Sequence, residues 1–318
     1  ADNIGISHRK IRFLMEKFNI PINKKIFRKP LFQNPELFLD IKTPEIAYLL
    51  GLLWADGCVH INKNGNHGVI LANKEDDAFF FKRVIDKCGK WTCSRKTKKP
   101  KGVKTMCPQL VFRITSEEVV KFLIKNDYRS KSWMSADKIL SKIPDNLKHY
   151  WFRGLFDGDG SLTFSKHTSR FSIVSGYKQD WKYMIKLCKS FKVKYGIVKS
   201  RKRGMSTFAV TNRIGISKIL RYFYKNYETD QIGLPRKYLK FKKLLNDLEK
   251  YNKSKLLKGI RFLEKKYHVS FRLNYKYRYS GHGVKTLEEA LAIKHKIIYD
   301  ELGEDGFKDY CGFDYVPR

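Results

Sequence analysis

The chain has 318 residues, with 66 Lys and Arg against 31 Asp and Glu, which gives a net charge of +35. A hydrophobic content of 42%, with 14% aromatic residues, is enough for folded cores and excludes global disorder. The longest apolar run, Ile46–Ala55, is about half of the roughly 20 residues that a membrane-spanning helix needs. The sequence therefore excludes an integral membrane protein, and no membrane partner is expected.

The six cysteines and the first residues bear on the cellular compartment. No two cysteines form a CxxC pair, and none lies at zinc-ligand spacing from a histidine. No basic stretch followed by an apolar stretch opens the sequence, as a secretory signal would require. We therefore expect an intracellular protein with free thiols in a reducing compartment.

Basic residues occur through the whole sequence and are interleaved with 18 Tyr and 22 Phe. This composition is typical of a folded protein that lies along a polyanion, and nucleic acid is the leading partner. A membrane-surface binder would concentrate its charge on one amphipathic helix, and the sequence has none. A ribosome-associated protein and a lysine-rich composition without functional meaning remain alternatives.

Residues 1–40 form an amino-terminal helical segment in our prediction. After Ser7, which can cap a helix, apolar residues recur at helical spacing at Ile11, Leu14, Met15 and Phe18. The pattern resembles the turn and second helix of a helix-turn-helix motif. A plain packing helix is the alternative.

The sequence next contains an internal duplication, and repeats are informative about fold. AYLLGLLWADGCV at 47–59 matches HYWFRGLFDGDGSL at 149–162, which aligns Gly51 with Gly154 and Asp56 with Asp159. Further similarities follow in the same order along both copies. We therefore predict repeats at 41–144 and 145–252, each of mixed helices and strands.

The two opening helices carry small residues on one face. A spacing of four residues places Ala47, Gly51 and Ala55 on one face of the first helix. The same spacing places Gly154 and Gly158 on one face of the second helix. Small residues let two helix backbones approach closely. If the helices pack through these faces, their carboxyl ends meet, and Asp56 and Asp159 lie side by side.

Two carboxylates at the negative ends of two helix dipoles are unfavourable unless a cation lies between them. Two or more divalent ions, most simply Mg²⁺, would satisfy Asp56 and Asp159. On a basic protein this arrangement favours phosphodiester hydrolysis. Alternatively, each Asp-Gly pair only ends a helix. The occurrence of the motif in both copies favours the metal site.

The segments LLGLLWADG (49–57) and FRGLFDGDG (152–160) resemble the two signature motifs of single-chain LAGLIDADG homing endonucleases. The resemblance implies an α+β fold of two pseudo-symmetric αββαββα-type repeats that form a saddle over double-stranded DNA. It also implies a monomer with internal pseudo-twofold symmetry, in which Asp56 and Asp159 bind Mg²⁺. The implied activity is a site-specific, staggered double-strand cut in a long target, in the setting of intron homing or of another mobile genetic element.

The first motif departs from the family pattern, because its earlier acidic position is Asp157 in the second copy but Trp54 in the first. The difference would make the two half-sites unequal. The family also places a basic residue near each active site, which by position is Lys131 in one repeat and Lys237 in the other. Arg236 competes with Lys237 for this catalytic role.

Two strongly basic stretches lie at equivalent places in the two repeats. A two-stranded ribbon fits the major groove, and basic residues at its tip would lie along phosphates. We therefore expect DNA contacts from Arg95, Lys96, Lys98, Lys99, Lys101, Lys104, Lys199, Arg201, Lys202 and Arg203. A solvated charged loop is the alternative.

Residues 253–318 resemble an ethylene-response-factor (Apetala-type) DNA-binding domain, a small three-stranded sheet with one helix. Residues 267–279 alternate strictly between apolar and polar residues, which predicts one strand with Tyr277 on its apolar face and Arg278 on its basic face. Thr286 and Glu289 form a predicted capping box for the following helix. The resemblance points to DNA contacts by Arg261, Arg272 and Arg278. An ordinary α+β appendage is the alternative.

Two functions remain open from the sequence. The first is the endonuclease. The second is a non-catalytic nucleic-acid binder on the same scaffold, such as a maturase that binds intron RNA, or a ribosomal or regulatory protein. Retention of both Asp56 and Asp159 favours the enzyme, because a pure binder has no need for carboxylates on a polyanion-facing surface.

Overall fold

The computed structural model describes residues 8–18, 34–61, 67–97, 107–165, 168–199, 204–257, 259–273, 276–311 and 315. The chain divides into two compact units, unit 1 with residues Ala1–Ile41 and Gly57–Arg129, and unit 2 with residues Lys42–Asp56 and Ser130–Arg318. Within the described ranges, no helix is both long enough and apolar enough to cross a membrane.

The elements up to the second motif are α1 (His8–Lys17), α2 (Glu36–Leu39), α3 (Pro44–Asp56), β1 (Gly57–Ile61), β2 (His67–Lys74), α4 (Glu75–Ile85), β3 (Thr92–Lys96), β4 (Gln109–Ile114), α5 (Glu117–Lys125) and α6 (Asp137–Leu140). The rest are α7 (Lys148–Asp159), β5 (Gly160–Phe164), β6 (Ser169–Ser175), α8 (Lys182–Ser190), β7 (Gly196–Lys199), β8 (Ser206–Val210), α9 (Arg213–Phe223), α10 (Tyr227–Asp230), α11 (Pro235–Leu257), β9 (Ile260–Leu263), β10 (Lys266–Leu273), β11 (Lys276–Tyr279) and α12 (Leu287–Cys311).

Each unit contains a four-stranded antiparallel sheet of the same topology. The strand order is β1-β2-β4-β3 in unit 1 and β5-β6-β8-β7 in unit 2. The prediction of mixed helices and strands is confirmed at this level. The pseudo-symmetric saddle stays a prediction, as do the boundaries of the two repeats.

The helix α3 belongs to unit 2, although the strand that follows it belongs to unit 1. Its sequence is apolar all round, and Leu49, Leu50 and Leu52 have no exposed surface. A helix with that pattern lies inside a core rather than on a surface. Its partner is α7, which belongs to the same unit.

The amino-terminal helix α1 begins at His8, and the predicted cap Ser7 and the side chain of Ile11 lie outside the described residues. Leu14 and Met15 are half-buried, whereas Phe13 and Phe18 are exposed. The helix-turn-helix interpretation of this segment stays a prediction.

The carboxyl-terminal module consists of β9, β10 and β11, in the order β11-β10-β9, and of α12, which is interrupted at Gly303. Its core contains Val269, Phe271, Leu273, Ala290 and Ile298. The predicted capping box is present, because Thr286 Oγ1 accepts a hydrogen bond from the Glu289 backbone N–H and Glu289 Oε2 accepts one from the Thr286 backbone N–H, both at 3.2 Å.

The prediction of one continuous strand over residues 267–279 was wrong. The strand β10 ends at Leu273, and β11 returns antiparallel to it from Lys276. Residues paired across an antiparallel ladder lie on the same face, and the register pairs Phe271 with Arg278 and Arg272 with Tyr277. The chain reversal therefore places Arg278 on the apolar face and Tyr277 on the basic face, opposite to the expectation.

We expect Gly154→Leu to unfold unit 2 at much lower denaturant than the parent, because a Cβ atom at position 154 would overlap the backbone of α3 at Tyr48 and Leu52. Overpacking of this kind costs typically about 1–3 kcal/mol or more. Urea unfolding measures the loss. Gly176→Leu is the matched control, because a Cβ atom there meets no atom within 4 Å. An equal effect of both substitutions would contradict the close helix contact.

Candidate active site

The site begins with a reciprocal backbone contact between α3 and α7. A Cβ atom on Gly51 would overlap the carbonyl oxygen of Trp151, and one on Gly154 would overlap the carbonyl oxygen of Tyr48. The glycine of each helix therefore lies against the main chain of the other, because neither carries a side chain that would hold the helices apart. Closer to the carboxyl ends, Gly158 lies against Ala55. Ala47 is fully buried in the same helix pair.

The close contact brings the two helix ends together. Asp56 is the last residue of α3, and Asp159 is the last residue of α7. The Asp56 Oδ2 atom lies 3.1 Å from the position that a Cβ atom on Gly158 would occupy. Asp56 is exposed, whereas Asp159 is half-buried. The structure therefore brings together both aspartates named from the sequence.

The surroundings of Asp159 disfavour its charged form. Burial, and secondly the negative charge of Asp56, raise the pKa of Asp159 to about 7, although the ammonium groups of Lys131 and Lys237 act in the opposite direction. A carboxyl group whose pKa is raised by a neighbouring carboxylate is typical of groups that share a cation or a proton. The pair is thus electrostatically strained without a counter-ion.

Each helix end also binds one lysine. Lys131 Nζ donates to the carbonyl oxygens of Leu53 at 2.9 Å and Ala55 at 2.6 Å. Lys237 Nζ donates to the carbonyl oxygens of Phe156 at 2.6 Å, Asp157 at 2.9 Å and Gly160 at 2.7 Å. An ammonium group in this place neutralises the negative end of the helix dipole.

The two lysines lie at corresponding places, because Leu53 and Phe156 are three residues before Asp56 and Asp159. They differ in their surroundings. Lys237 is buried in the first turn of α11, whereas Lys131 lies half-buried in the turn before α6. The competing residue Arg236 is exposed, so Lys237 is the basic residue of this position that reaches the helix end.

Asp157, two residues before Asp159 in α7, stabilises the structure around the second motif through its hydrogen bonds. Its Oδ2 atom accepts hydrogen bonds from the Tyr48 hydroxyl at 2.8 Å and the Leu234 backbone N–H at 2.9 Å, and its Oδ1 atom accepts one from the Tyr224 hydroxyl at 2.9 Å. Burial raises the pKa of Asp157, and the nearby ammonium of Lys237 and these donors oppose the rise. Asp157 therefore ties α7 to the segment that begins α11, three residues before Lys237.

The first half has an apolar group where the second half has this carboxylate. Trp54 is buried, and its ring lies 6.0 Å from the ring of Trp151. Both halves thus offer one aspartate and one lysine, but the residue two positions before the aspartate is a buried carboxylate in the second half and a buried indole in the first. The difference between Trp54 and Asp157 is visible in the sequence, whereas its physical meaning comes from Tyr224 and Leu234, which are about 70 residues away.

Sequence reasoning missed a second buried residue of this region, Arg153. Its guanidinium donates to the carbonyl oxygens of Phe223 at 2.7 Å and Ile232 at 2.6 Å, and to Asp230 Oδ1 at 3.0 Å. A buried charge persists only when it is paired and hydrogen-bonded. An arginine in the middle of the apolar stretch YWFRGLF was the available signal. Arg153 shapes the segment that leads from α9 to α11.

The donor set fits a hard divalent cation. Two carboxylates supply oxygen ligands, and the remaining positions of a Mg²⁺ ion are commonly filled by water and phosphate oxygens. The described residues contain no group of three or more His, Cys, Asp or Glu side chains that could hold a metal by themselves. The site therefore fits an ion that is held jointly by Asp56, Asp159 and a phosphate substrate, rather than a closed structural metal site.

The basic residues expected to contact DNA fall into three groups. Arg95, Lys96 and Lys199 are exposed on the edge strands β3 and β7, and Arg95 forms an ion pair with Glu75 at 2.8 Å. Arg261 and Arg272 are exposed in the carboxyl-terminal module. The remaining residues of the two basic stretches lie outside the described residues: Lys98, Lys99, Lys101, Lys104, Arg201, Lys202 and Arg203.

Arg278 has a different environment from the other arginines of its module. Its Nε atom donates to Glu301 Oε2 at 2.8 Å, and its second guanidinium nitrogen donates to Glu301 Oε1 at 2.5 Å. This bidentate pair attaches β11 to α12. Arg278 therefore stabilises the module on the face that α12 covers.

Known proteins that are similar to this chain are found among solved structures. No family model and no curated protein matches the sequence. Among solved structures, the meganuclease I-SmaMI bound to an uncleaved DNA target in the presence of calcium ions is 18% identical, with a TM-score of 0.41, over 66% of this chain and 93% of its own. The LAGLIDADG homing endonuclease I-LtrWI bound to target DNA is 16% identical, with a TM-score of 0.44, over 66% and 92%.

A third similar structure is I-DmoI in complex with nicked target DNA in the presence of manganese, which is 14% identical with a TM-score of 0.38, over 57% of this chain and 96% of its own. Similarity at this level carries no information about which side chains act. The acting residues are therefore identified from the geometry of this chain.

The raised pKa of Asp159 has a consequence for stability. A carboxyl with a higher pKa in the folded state than in the unfolded chain binds its proton more tightly when folded. Its contribution to stability is then lost as the pH rises from about 4 to about 7. We expect Asp159→Asn to raise the melting temperature at pH 8 by ~3 °C or more, and to change it little at pH 4.

Magnesium provides the companion measurement. At pH 8, we expect MgCl₂ to raise the melting temperature of the parent protein but not of Asp159→Asn, because the ion relieves the repulsion between Asp56 and Asp159. Asp180→Asn, at a half-exposed aspartate of the same unit, is the control. A parent protein whose melting temperature is indifferent to both pH and Mg²⁺ would contradict the strained carboxylate pair.

Proposed function

We propose that the protein is a site-specific DNA endonuclease that makes a metal-dependent, staggered double-strand cut in a long target. One observation carries the proposal: two aspartates and two lysines converge at the carboxyl ends of a backbone-packed helix pair, in a chain of net charge +35. Carboxylates at a polyanion-facing surface oppose binding unless they hold cations. Their presence therefore supports catalysis rather than binding alone.

Bound Mg²⁺ would supply Lewis acidity at the scissile phosphates. Asp56 and Asp159 would hold the ion, and Asp159 must first lose the proton that its environment favours. Lys131 and Lys237 hold positive charge beside the reacting groups and support the negative charge that develops in phosphoryl transfer. Because Lys237 already directs three hydrogen bonds to carbonyl oxygens, its role in this state is electrostatic and positional.

The DNA-binding part of the proposal rests on charge. The exposed edge strands β3 and β7 lead into the two basic stretches, and these would lie along the phosphates of the target. We propose that the carboxyl-terminal module adds a further nucleic-acid-binding unit, with Arg261 and Arg272, and that the amino-terminal helix adds another. Arg278 is left out of this surface because Glu301 holds it.

The biological setting follows from the motif resemblance. The two LAGLIDADG-like motifs support a monomer that acts on both strands and that serves intron homing or another mobile genetic element. A maturase or another non-catalytic binder is the competing function, and intron RNA would be its ligand. The following experiment separates the two.

Cleavage selection tests the proposal directly. Purified protein with Mg²⁺ is incubated with a genomic or random DNA library, and new ends are captured and sequenced. We expect discrete ends with the parent protein, and no ends with Asp56→Asn or Asp159→Asn, because each substitution removes a metal ligand. Duplex affinity should stay within about tenfold of the parent value, since Asn removes a repulsive charge from the DNA-facing surface.

Asp180→Asn is the matched control and should cleave like the parent. Discrete ends that persist in both single variants would overturn the assignment of the site. Salt-sensitive binding without any cleavage would favour the non-catalytic alternative.

Because Lys131 and Lys237 lie in different surroundings, we expect a substitution near one of them to change the cleavage rates of the two DNA strands unequally. In Asp157→Asn, an amide replaces the carboxylate that accepts hydrogen bonds from the Tyr48 hydroxyl, the Tyr224 hydroxyl and the Leu234 N–H, so the segment before Lys237 is held less firmly. We expect the cut that depends on Lys237 to slow by about tenfold or more, so that nicked product accumulates. End-labelled strands on a denaturing gel measure both rates.

Trp54→Phe is the control at the corresponding position, and it should leave the ratio of the two rates within about twofold of the parent ratio. Equal slowing of both strands by Asp157→Asn would show that Asp157 supports only the fold.

A further inference from the structure

The exposed face of the carboxyl-terminal sheet differs from what its sequence suggested. Because β11 returns antiparallel to β10, Tyr277 lies beside Arg272 and Tyr279 lies beside Ser270. Their exposed fractions are 68% and 72%, among the highest of the large apolar residues of the protein. Folding has thus left two neighbouring aromatic rings in water, on the face opposite the helix α12.

The charges of this face are uniformly positive. Arg261 and Arg272 are exposed on it, and the described strands β9, β10 and β11 contain no Asp or Glu at any position. The Arg272 guanidinium lies 5.5 Å from the centre of the Tyr277 ring, which is the geometry of a cation–π contact. The surface therefore combines flat rings with cations, and it complements an anion that also carries flat groups.

The opposite face of the sheet is already occupied. Val269, Phe271 and Leu273 lie in the core with α12, and Lys294 on α12 approaches the Phe271 ring at 5.1 Å. The pair of Arg278 and Glu301 closes the same side. The tyrosines are thus not a part of the core of their own module.

We propose that this face binds single-stranded nucleic acid, with unpaired bases stacked on Tyr277 and Tyr279 and phosphates held by Arg261 and Arg272. In a duplex the faces of the bases are covered by their neighbours, and only their edges are accessible to long polar side chains. Aromatic rings are used where bases are unpaired, and each stacked base contributes about 1–3 kcal/mol.

The spacing of the rings suits this ligand. Two residues on one face of a strand are about 7 Å apart, which is twice the rise per residue. Adjacent bases of a single strand can be spread to that distance, so that each base takes one ring. DNA and RNA share this chemistry, and the experiment distinguishes them.

The inference does not depend on cleavage, because it rests on the carboxyl-terminal module alone. The test uses the full chain with Asp56→Asn and Asp159→Asn, so that no probe is cut. Fluorescein-labelled 12-nucleotide poly-U RNA, poly-T DNA and a 12-base-pair mixed-sequence duplex are titrated at 0.15 M salt, and fluorescence anisotropy gives each dissociation constant.

We expect Tyr277→Ala with Tyr279→Ala to weaken single-strand binding by tenfold or more and to leave duplex binding within twofold. Tyr277→Phe with Tyr279→Phe should bind like the parent, because stacking needs the ring and not the hydroxyl. Phe79→Ala removes an exposed ring of α4 and is the matched control. If the double alanine variant melts at a lower temperature, Tyr279→Ala alone provides the same comparison.

Tighter binding of RNA than DNA, lost in the alanine variant, would identify RNA as the natural ligand. Equal binding of both, lost in the same variant, would identify unpaired bases without selection of the sugar. Single-strand affinity that is unchanged by loss of the rings would overturn the proposal. Equal losses for single strand and duplex would overturn it as well, and would favour a phosphate-contact surface.

Discussion

The contact of Gly51 and Gly154 with the main chain of the opposite helix is the constraint on which the rest of unit 2 depends. Without side chains at these two positions, α3 and α7 approach closely enough for their carboxyl ends to coincide. Asp56 and Asp159 then share one small region, and their repulsion creates a place for a cation. A larger residue at either glycine would separate the helices and would separate the chemistry with them.

The surrounding residues compensate for the strain that this contact produces. Two helix dipoles and two carboxylates concentrate negative potential at one point, and Lys131 and Lys237 meet it from opposite elements of the chain. Asp157 in turn stabilises the segment before Lys237, and Arg153 stabilises the segment before that. The helix ends are therefore supported in succession: the two lysines bind their carbonyl oxygens, Asp157 holds the segment before Lys237, and Arg153 pairs with Asp230 in the segment before that.

The sequence predicts the aspartates and the small residues of the helix pair better than it predicts the residues that stabilise the surrounding segments. Asp56, Asp159 and the small residues are readable because each occurs twice at the same spacing. The tasks of Asp157 and Arg153 were not readable, because their partners, Tyr224 and Ile232, come from segments about 70 to 80 residues away in the sequence. The faces of Tyr277 and Arg278 were misassigned because strict alternation continues through a chain reversal, and periodicity alone does not register one.

The assignment of α3 to unit 2 has a consequence for the order in which the protein can fold. The ribosome completes this apolar helix about 100 residues before it completes α7, and at 5–20 residues per second the interval is roughly 5–20 s. During synthesis, the chain therefore carries a helix whose native partner does not yet exist. For those seconds the most apolar segment of the chain, residues 44–56, lacks the surface that buries it in the native fold.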